Sequence, residues 1–259
     1  MSSRRGYARG VNLWLDGFLA AGTRMAAVAR DAPLDAKVPT CPDWVLRDLL
    51  RHTGGVHRWA MTILQQELTE FPDVELVELA GGWPPDSQLA AWFMQGVDEL
   101  YDTLSDTVPE LQCATFLDAS TPSDMWMRRQ CHETVIHRVD VELTIGLPVT
   151  PILPMLACDG IDELVRCFIT RPGGRLRSSS AVRRLGIHPT DYDDGWLLRI
   201  GADGVTTRRT SGPADCTISG TAHDLYVTLW SRADPGVLHV QGDRSVFETF
   251  LDKVHVRWA

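Results

Sequence analysis

The helical spacing of apolar residues in the first half of the chain restricts its fold more than any other feature. Apolar residues recur three and four positions apart in four segments, 11–30, 42–65, 89–104 and 125–145, and this spacing predicts amphipathic α-helices. Stretches rich in proline and glycine separate the segments. Four such helices are typical of a four-helix bundle, in which metal sites are built from inward side chains on facing helices.

The second half of the chain has a different pattern. Short runs bounded by turn residues predict β-strands at 186–189, 195–200, 204–210, 215–218 and 237–241, and helical spacing returns at 158–170, 221–231 and 245–250. This order predicts an α+β domain with an antiparallel sheet. For 259 residues we expect two domains, which we place at 1–150 and 151–259.

Composition excludes several classes of partner. The net charge of -9 gives the phosphate backbone of nucleic acid little reason to bind. No run approaches the ~18 apolar residues of a membrane span, so we expect no membrane partner. The six cysteines form no CxxC pair, and reduced thiols in a cytoplasmic protein are expected.

The run His132-Glu133-Thr134-Val135-Ile136-His137 contains the densest metal-ligand chemistry. On a helix, Glu133 and His137 are four apart and project from one face, within reach of a single ion. His132 diverges from His137 by about 140°. The zincin pattern requires two histidines four residues apart, so a zincin is not indicated.

A catalytic zinc takes three protein ligands and keeps one open position. The stripe Val45, Leu49, His52 and Val56 on the second helix is predicted to face inward and makes His52 the third ligand. His57 points about 140° away and is the weaker candidate. The predicted metal site is therefore His52, Glu133 and His137.

Simpler interpretations remain open for these residues. Each histidine could be an ordinary core or surface residue. Asp140, one turn after His137, could orient its imidazole or pair with a surface arginine. Trp83 and Trp126 could line a pocket, whereas Cys131 points away from the ligand face and is expected to be a buried structural thiol. No P-loop, GxGxxG or GxSxG motif indicates a nucleotide cofactor or a hydrolase.

Two signatures resemble a known family. The segment 38–44, VPTCPDW, with Leu49-Leu50-Arg51-His52 and 56–59, VHRW, resembles the opening of the mycothiol-dependent maleylpyruvate isomerase family. The segment 132–140, HETVIHRVD, resembles its second signature. The resemblance implies a DinB-like four-helix bundle that binds zinc, or another divalent metal, through His52, Glu133 and His137.

The resemblance extends to the C-terminal half. The segments 216–225, CTISGTAHDL, and 229–232, LWSR, resemble the small sterol-carrier-like α/β domain of the family. The resemblance also implies that mycothiol, an actinobacterial thiol, is the cosubstrate. The metal would activate this thiol for attack on a small, acidic electrophile. The enzyme would be an isomerase or a thiol S-transferase. An anionic substrate favours a guanidinium, and Arg128, Arg129 or Arg138 could supply it, although each could equally be a solvated surface residue.

A second class of function stays open. The chain could be a non-catalytic protein that binds a metal or small ligand and keeps only the bundle fold. It would then retain its ligand without turning over a thiol and an electrophile. In either case we expect a monomer or weak dimer.

Overall fold

The computed structural model describes residues 12–171, 174–178 and 181–255. They form two compact units. The first contains the described part of Met1–Asp31 together with Leu50–Thr115 and Ala119–Arg138, and the second contains Ala32–Leu49, Phe116–Asp118 and the described part of Val139–Ala259. The domain division at residue 150 stays a prediction. Within the described ranges, no helix combines the length and apolar character needed to cross a membrane.

Long helices dominate the first unit. They are α1 (Leu13–Ala29), α2 (Leu46–Gln65), the short α3 (Leu76–Leu79), α4 (Asp86–Asp106) and α5 (Pro122–Thr144), and α2 and α5 each contribute most of their length to this unit. Asn12 caps α1 by accepting hydrogen bonds from the Trp14 and Leu15 amides. Gly22 lets α1 approach Val97 of α4, because a Cβ at residue 22 would lie 2.7 Å from the valine methyls.

The helices of the first half of the chain differ from the sequence prediction at several positions. Helix α2 begins at Leu46 rather than at 42, because residues 37–45 form a turn closed by the bridge between Lys37 and Val45. The cap of α5 is Thr121, whose Oγ1 accepts from the Asp124 amide at 3.0 Å, so the predicted cap at Ser123 and Asp124 is wrong by two residues. The predicted loop at 71–85 contains helix α3.

The second unit is α+β, as predicted. Its elements are α6 (Pro154–Asp162), a π-helical segment (Glu163–Phe168), β1 (Arg183–Pro189), β2 (Trp196–Gly201), β3 (Gly204–Arg209), β4 (Cys216–Gly220), α7 (Ala222–Leu229), β5 (His239–Gly242) and α8 (Arg244–Lys253). The π-helical segment satisfies one of its carbonyls through β3, because Thr207 Oγ1 donates to Val165 O at 2.5 Å.

The five-stranded sheet has the order β3-β2-β1-β4-β5. Three of its pairs are antiparallel, as predicted, but β1 and β4 run parallel, with Ile187 opposite Ile218. The buried face carries Leu185, Ile187, Leu198, Ile200 and Ile218. Helices α6 and α7 also join the core, where Trp230 Nε1 donates to Gly160 O at 3.0 Å.

A buried ion pair anchors the last part of α5 within the second unit. Arg232 Nε and Nη2 each donate to Asp140 at 2.9 Å. Thr40 Oγ1 also donates to Asp140 Oδ1 at 2.5 Å. Both side chains of the pair are 0% exposed, so the arginine partner of Asp140 is a core residue and not the surface residue that the sequence suggested.

Candidate metal centre

Two helices of the first unit supply the candidate ligands. His52 lies in α2, and Glu133 and His137 lie one turn apart in α5. One donor atom from each residue lies within 4.8 Å of the other two. The structure therefore brings together the three side chains that the sequence selected as a metal site.

The distances between these donor atoms suit a tetrahedral ion. Glu133 Oε1 lies 3.4 Å from His52 Nε2 and 3.2 Å from His137 Nε2. Ligands about 2.1 Å from a tetrahedral metal are separated by about 3.4 Å from one another. The two imidazole rings meet edge to face with their centroids 5.4 Å apart.

The carboxylate at the centre of the cluster is fixed from both sides. Arg129 Nη2 donates to Glu133 Oε2 at 3.0 Å, which leaves Oε1 facing the histidines. Burial alone would raise the pKa of Glu133, but the charge and hydrogen bond of His137, the hydrogen bond of His52 and the charge of Arg129 hold it well below its ordinary value. Glu133 is thus an anion, the form that binds a metal.

Exposure differs across the three candidate ligands. The side chains of Glu133 and His137 are 3% and 0% exposed, whereas that of His52 is 19% exposed. Three ligands leave the fourth position of a tetrahedral metal open. A small molecule would therefore reach that position past His52.

The weaker candidate, His57, lies outside the cluster. Its ring is 0% exposed and contacts Phe18 and Phe93 at centroid distances of 5.2 and 5.5 Å. Thr134 Oγ1 donates to Gln130 O, so its lone pairs accept from His57 Nε2, 3.0 Å away. Burial, with smaller effects from neighbouring charges, lowers the pKa of His57 to about 3, and its ring is neutral.

Other sequence candidates occupy different positions. His132 and Cys131 are both 0% exposed and lie outside the ligand cluster. Trp126 is also buried and donates from Nε1 to Ala114 O at 3.1 Å, so it belongs to the core. Trp83 lies against α2, where a Cβ on Gly55 would be 3.4 Å from the indole.

From the sequence, Arg129 is a candidate for binding the substrate anion or for a solvated place on the surface. The structure shows that it holds Glu133 instead. The spacing of four residues between an arginine and a glutamate on one helix was the available signal. The paired glycines of α2 also have a function: a Cβ on Gly54 would lie 2.4 Å from the Trp92 ring, so this ring packs directly on the helix backbone.

Comparison with known proteins gives concordant family matches. Residues 15–142 match the family model of the mycothiol maleylpyruvate isomerase N-terminal domain. Residues 155–249 match the model of the C-terminal domain of the same family. No curated protein matches the sequence significantly.

Solved structures share the fold. The crystal structure of the mycothiol-dependent maleylpyruvate isomerase superposes with a TM-score of 0.61 at 13% identity, covering 96% of this chain and 98% of that one. The crystal structure of its H52A mutant, so numbered in that protein, gives a TM-score of 0.58 at 14% identity with the same coverage. At these identities the likeness concerns the fold.

Proposed function

The chain belongs to the mycothiol-dependent maleylpyruvate isomerase family, and from this premise we propose that it is a zinc-dependent enzyme that uses mycothiol as cosubstrate. Its reaction is isomerisation or S-transfer on a small acidic electrophile. The observation that carries the proposal is the cluster of His52, Glu133 and His137, whose donor atoms lie within 4.8 Å of one another.

The donor set of the cluster suits zinc. Two imidazole nitrogens and one carboxylate oxygen are the ligand types of many catalytic zinc sites. Calcium and magnesium prefer sites with oxygen ligands only, and this cluster has two nitrogen donors. A bound zinc ion would lower the pKa of a coordinated thiol, so that thiolate is present at neutral pH.

The protein's own residues prepare the site for this chemistry. Arg129 restrains Glu133 through Oε2, so the carboxylate need not reorganise when a ligand enters. Burial of Glu133 and His137 excludes water from one side of the site. His52 is the partly exposed ligand, with 19% of its side chain accessible, so we expect the thiol and then the electrophile to approach from its side.

Zinc analysis of the purified protein tests the site. We expect about one zinc per chain in the wild type, as required for one three-ligand site, and loss of most of it in His137→Ala and Glu133→Gln. The matched control is His239→Ala, which removes an exposed histidine of β5. Metal-free wild type, or unchanged zinc in His137→Ala, would contradict the assignment.

Product analysis separates the reaction types. An isomerase returns free mycothiol and an electrophile of unchanged mass, whereas a transferase leaves a thioether adduct. Chromatographic separation of the isomers with mass-spectrometric detection, after incubation of the zinc-loaded enzyme with mycothiol and maleylpyruvate, distinguishes an isomer, a thioether adduct and unreacted substrate. Retention of ligand without either product would indicate the non-catalytic alternative.

A further inference from the structure

Arg51 precedes His52 in α2, and its guanidinium has few partners in the described structure. Its side chain is 26% exposed. Nε is buried, with no hydrogen-bond partner among the described residues. Nη2 lies 3.9 Å from Asp86 Oδ1, beyond hydrogen-bonding distance. A buried Nε without a hydrogen-bond acceptor has a free-energy cost that an anionic ligand would offset.

A second arginine of α2, Arg58, has hydrogen-bond acceptors for both terminal nitrogens of its guanidinium. Arg58 donates from Nη1 to Gly54 O and from Nη2 to Trp92 O, both at 3.0 Å. Its guanidinium carbon also lies 3.9 Å from the centroid of the Trp92 ring. Arg58 therefore has a structural role, joining α2 to α4, and Arg51 has no comparable set of bonds.

An aromatic ring lies near Arg51, which comes one residue before the candidate metal ligand His52 in α2. Gly55 lies four residues after Arg51 and three after His52, so it is a helical neighbour of both. Leu76 also packs on this glycine, because a Cβ there would be 2.9 Å from the Leu76 Cβ. A Cβ on Gly55 would be 3.4 Å from Trp83, which places the indole against the helix at this glycine. The Arg51 guanidinium lies 6.0 Å from the centroid of the Trp83 ring. We call Arg51, Gly55 and Trp83 the Arg51 shelf.

We propose that Arg51 is a specificity-determining residue that binds a carboxylate of the electrophilic substrate, with the planar part of that substrate against Trp83. This inference rests on the proposed function, because it takes the thiol to occupy the open metal position. The second reactant then approaches along the exposed side of His52, next to the shelf. A guanidinium binds a carboxylate through two parallel hydrogen bonds.

Asp86 is the counter-ion that the substrate would displace. Its carboxylate is 47% exposed and lies 3.9 Å from Arg51, a separation at which an ion pair contributes little. It keeps the guanidinium from being an isolated charge and competes weakly with an incoming anion. Removing the Asp86 charge should therefore tighten the binding of a carboxylate only while Arg51 is present.

The test uses phthalate, an unreactive planar dicarboxylate, and its uncharged dimethyl ester. Both are titrated calorimetrically into zinc-loaded protein whose open coordination position is held by 2-mercaptoethanol. We expect Arg51→Gln to weaken phthalate binding by about tenfold or more, the effect of a charge-assisted hydrogen bond, and to leave the ester and the zinc content unchanged. Arg30→Gln, an equal charge change at an exposed residue of the same unit, should match the wild type.

The Asp86→Asn variant supplies a second readout. It should bind phthalate more tightly than the wild type, and the gain should vanish in the double variant with Arg51→Gln, which a purely structural role for Arg51 would not produce. Equal phthalate affinity in wild type and Arg51→Gln would overturn the inference and leave the zinc site intact. Weaker binding of 2-mercaptoethanol alone in Arg51→Gln would assign Arg51 to the thiol and also overturn it. A zinc-free wild type would overturn the proposed function and this inference together.

Discussion

Replacing His57 with glutamine should flatten the pH dependence of the protein's stability. In the folded protein burial lowers the pKa of His57 from 6.5 to about 3, whereas the unfolded chain keeps the ordinary value. Between these two values the unfolded state binds more protons, so lowering the pH favours unfolding. The contribution of neutral His57 to stability is complete above pH 6.5 and is lost as the pH falls toward 3.

The size of the effect follows from the two pKa values. Each pH unit below the unfolded pKa removes about 1.4 kcal/mol, so between pH 8 and pH 5 the wild type should lose about 2 kcal/mol through His57. Glutamine does not titrate, and its amide can still donate to Thr134. His57→Gln should be less stable than the wild type at pH 8, through lost packing against Phe18 and Phe93, but its stability should fall less toward pH 5.

Urea unfolding of chelator-treated protein, followed by circular dichroism at pH 5 and pH 8, measures the difference. The other histidines and the carboxylates contribute equally to the pH dependence of both proteins, so their contributions cancel when the two are compared. His239→Gln is the control, because this exposed histidine should leave the pH dependence of the wild type unchanged. Equal losses in wild type and His57→Gln would refute the reasoning, as would an NMR titration in which the His57 ring of the folded protein protonates near pH 6.

Two further predictions concern the second unit. Asp140→Asn should lower the free energy of unfolding by about 3 kcal/mol, because it removes the carboxylate charge that pairs with the fully buried Arg232. A change below about 1 kcal/mol in urea unfolding would show that the pair contributes no more than a surface bridge. Cys158 is 1% exposed, and burial, with the charge of Asp194, raises the pKa of its thiol to about 12, so iodoacetamide at pH 8 should label it only in unfolding concentrations of urea. Mass spectrometry checks this, and equally fast labelling of the folded protein would contradict it.

Local periodicity was sufficient to predict much of the candidate site. Glu133 and His137 are paired because residues four apart on a helix share a face, whatever the helix packs against. Their contact with His52 depends on how α2 packs against α5, and the apolar stripe of α2 predicts it. That stripe is displaced from the core: Leu49 is buried, but Val45 and Val56 are only half-buried, and the fully buried row includes Leu46, Leu50 and His57.

The displacement of the stripe has a physical reason. The inward row of α2 contains the polar residues Thr53 and His57, so a search for apolar positions does not identify this row as buried. His57 is nevertheless accommodated in the core by Thr134 and two phenylalanine rings. His52 consequently lies at the margin of the buried face. The parallel pairing of β1 with β4 was equally beyond prediction, since a strand's sequence records which face is buried and not which strand lies beside it.

Helix α5 contains the boundary between the two compact units, which matters for any attempt to express one half of the protein alone. The family models leave a gap between residues 142 and 155, whereas the compact units meet inside the helix, between Arg138 and Val139. Asp140 belongs to the helix that carries Glu133 and His137, yet its charge is neutralised by Arg232, far along the chain. A chain cut at residue 150 would retain the three candidate ligands and lose that neutralising charge. Transfer of residues 1–150 to another protein would therefore also require an arginine that replaces Arg232 as the partner of Asp140.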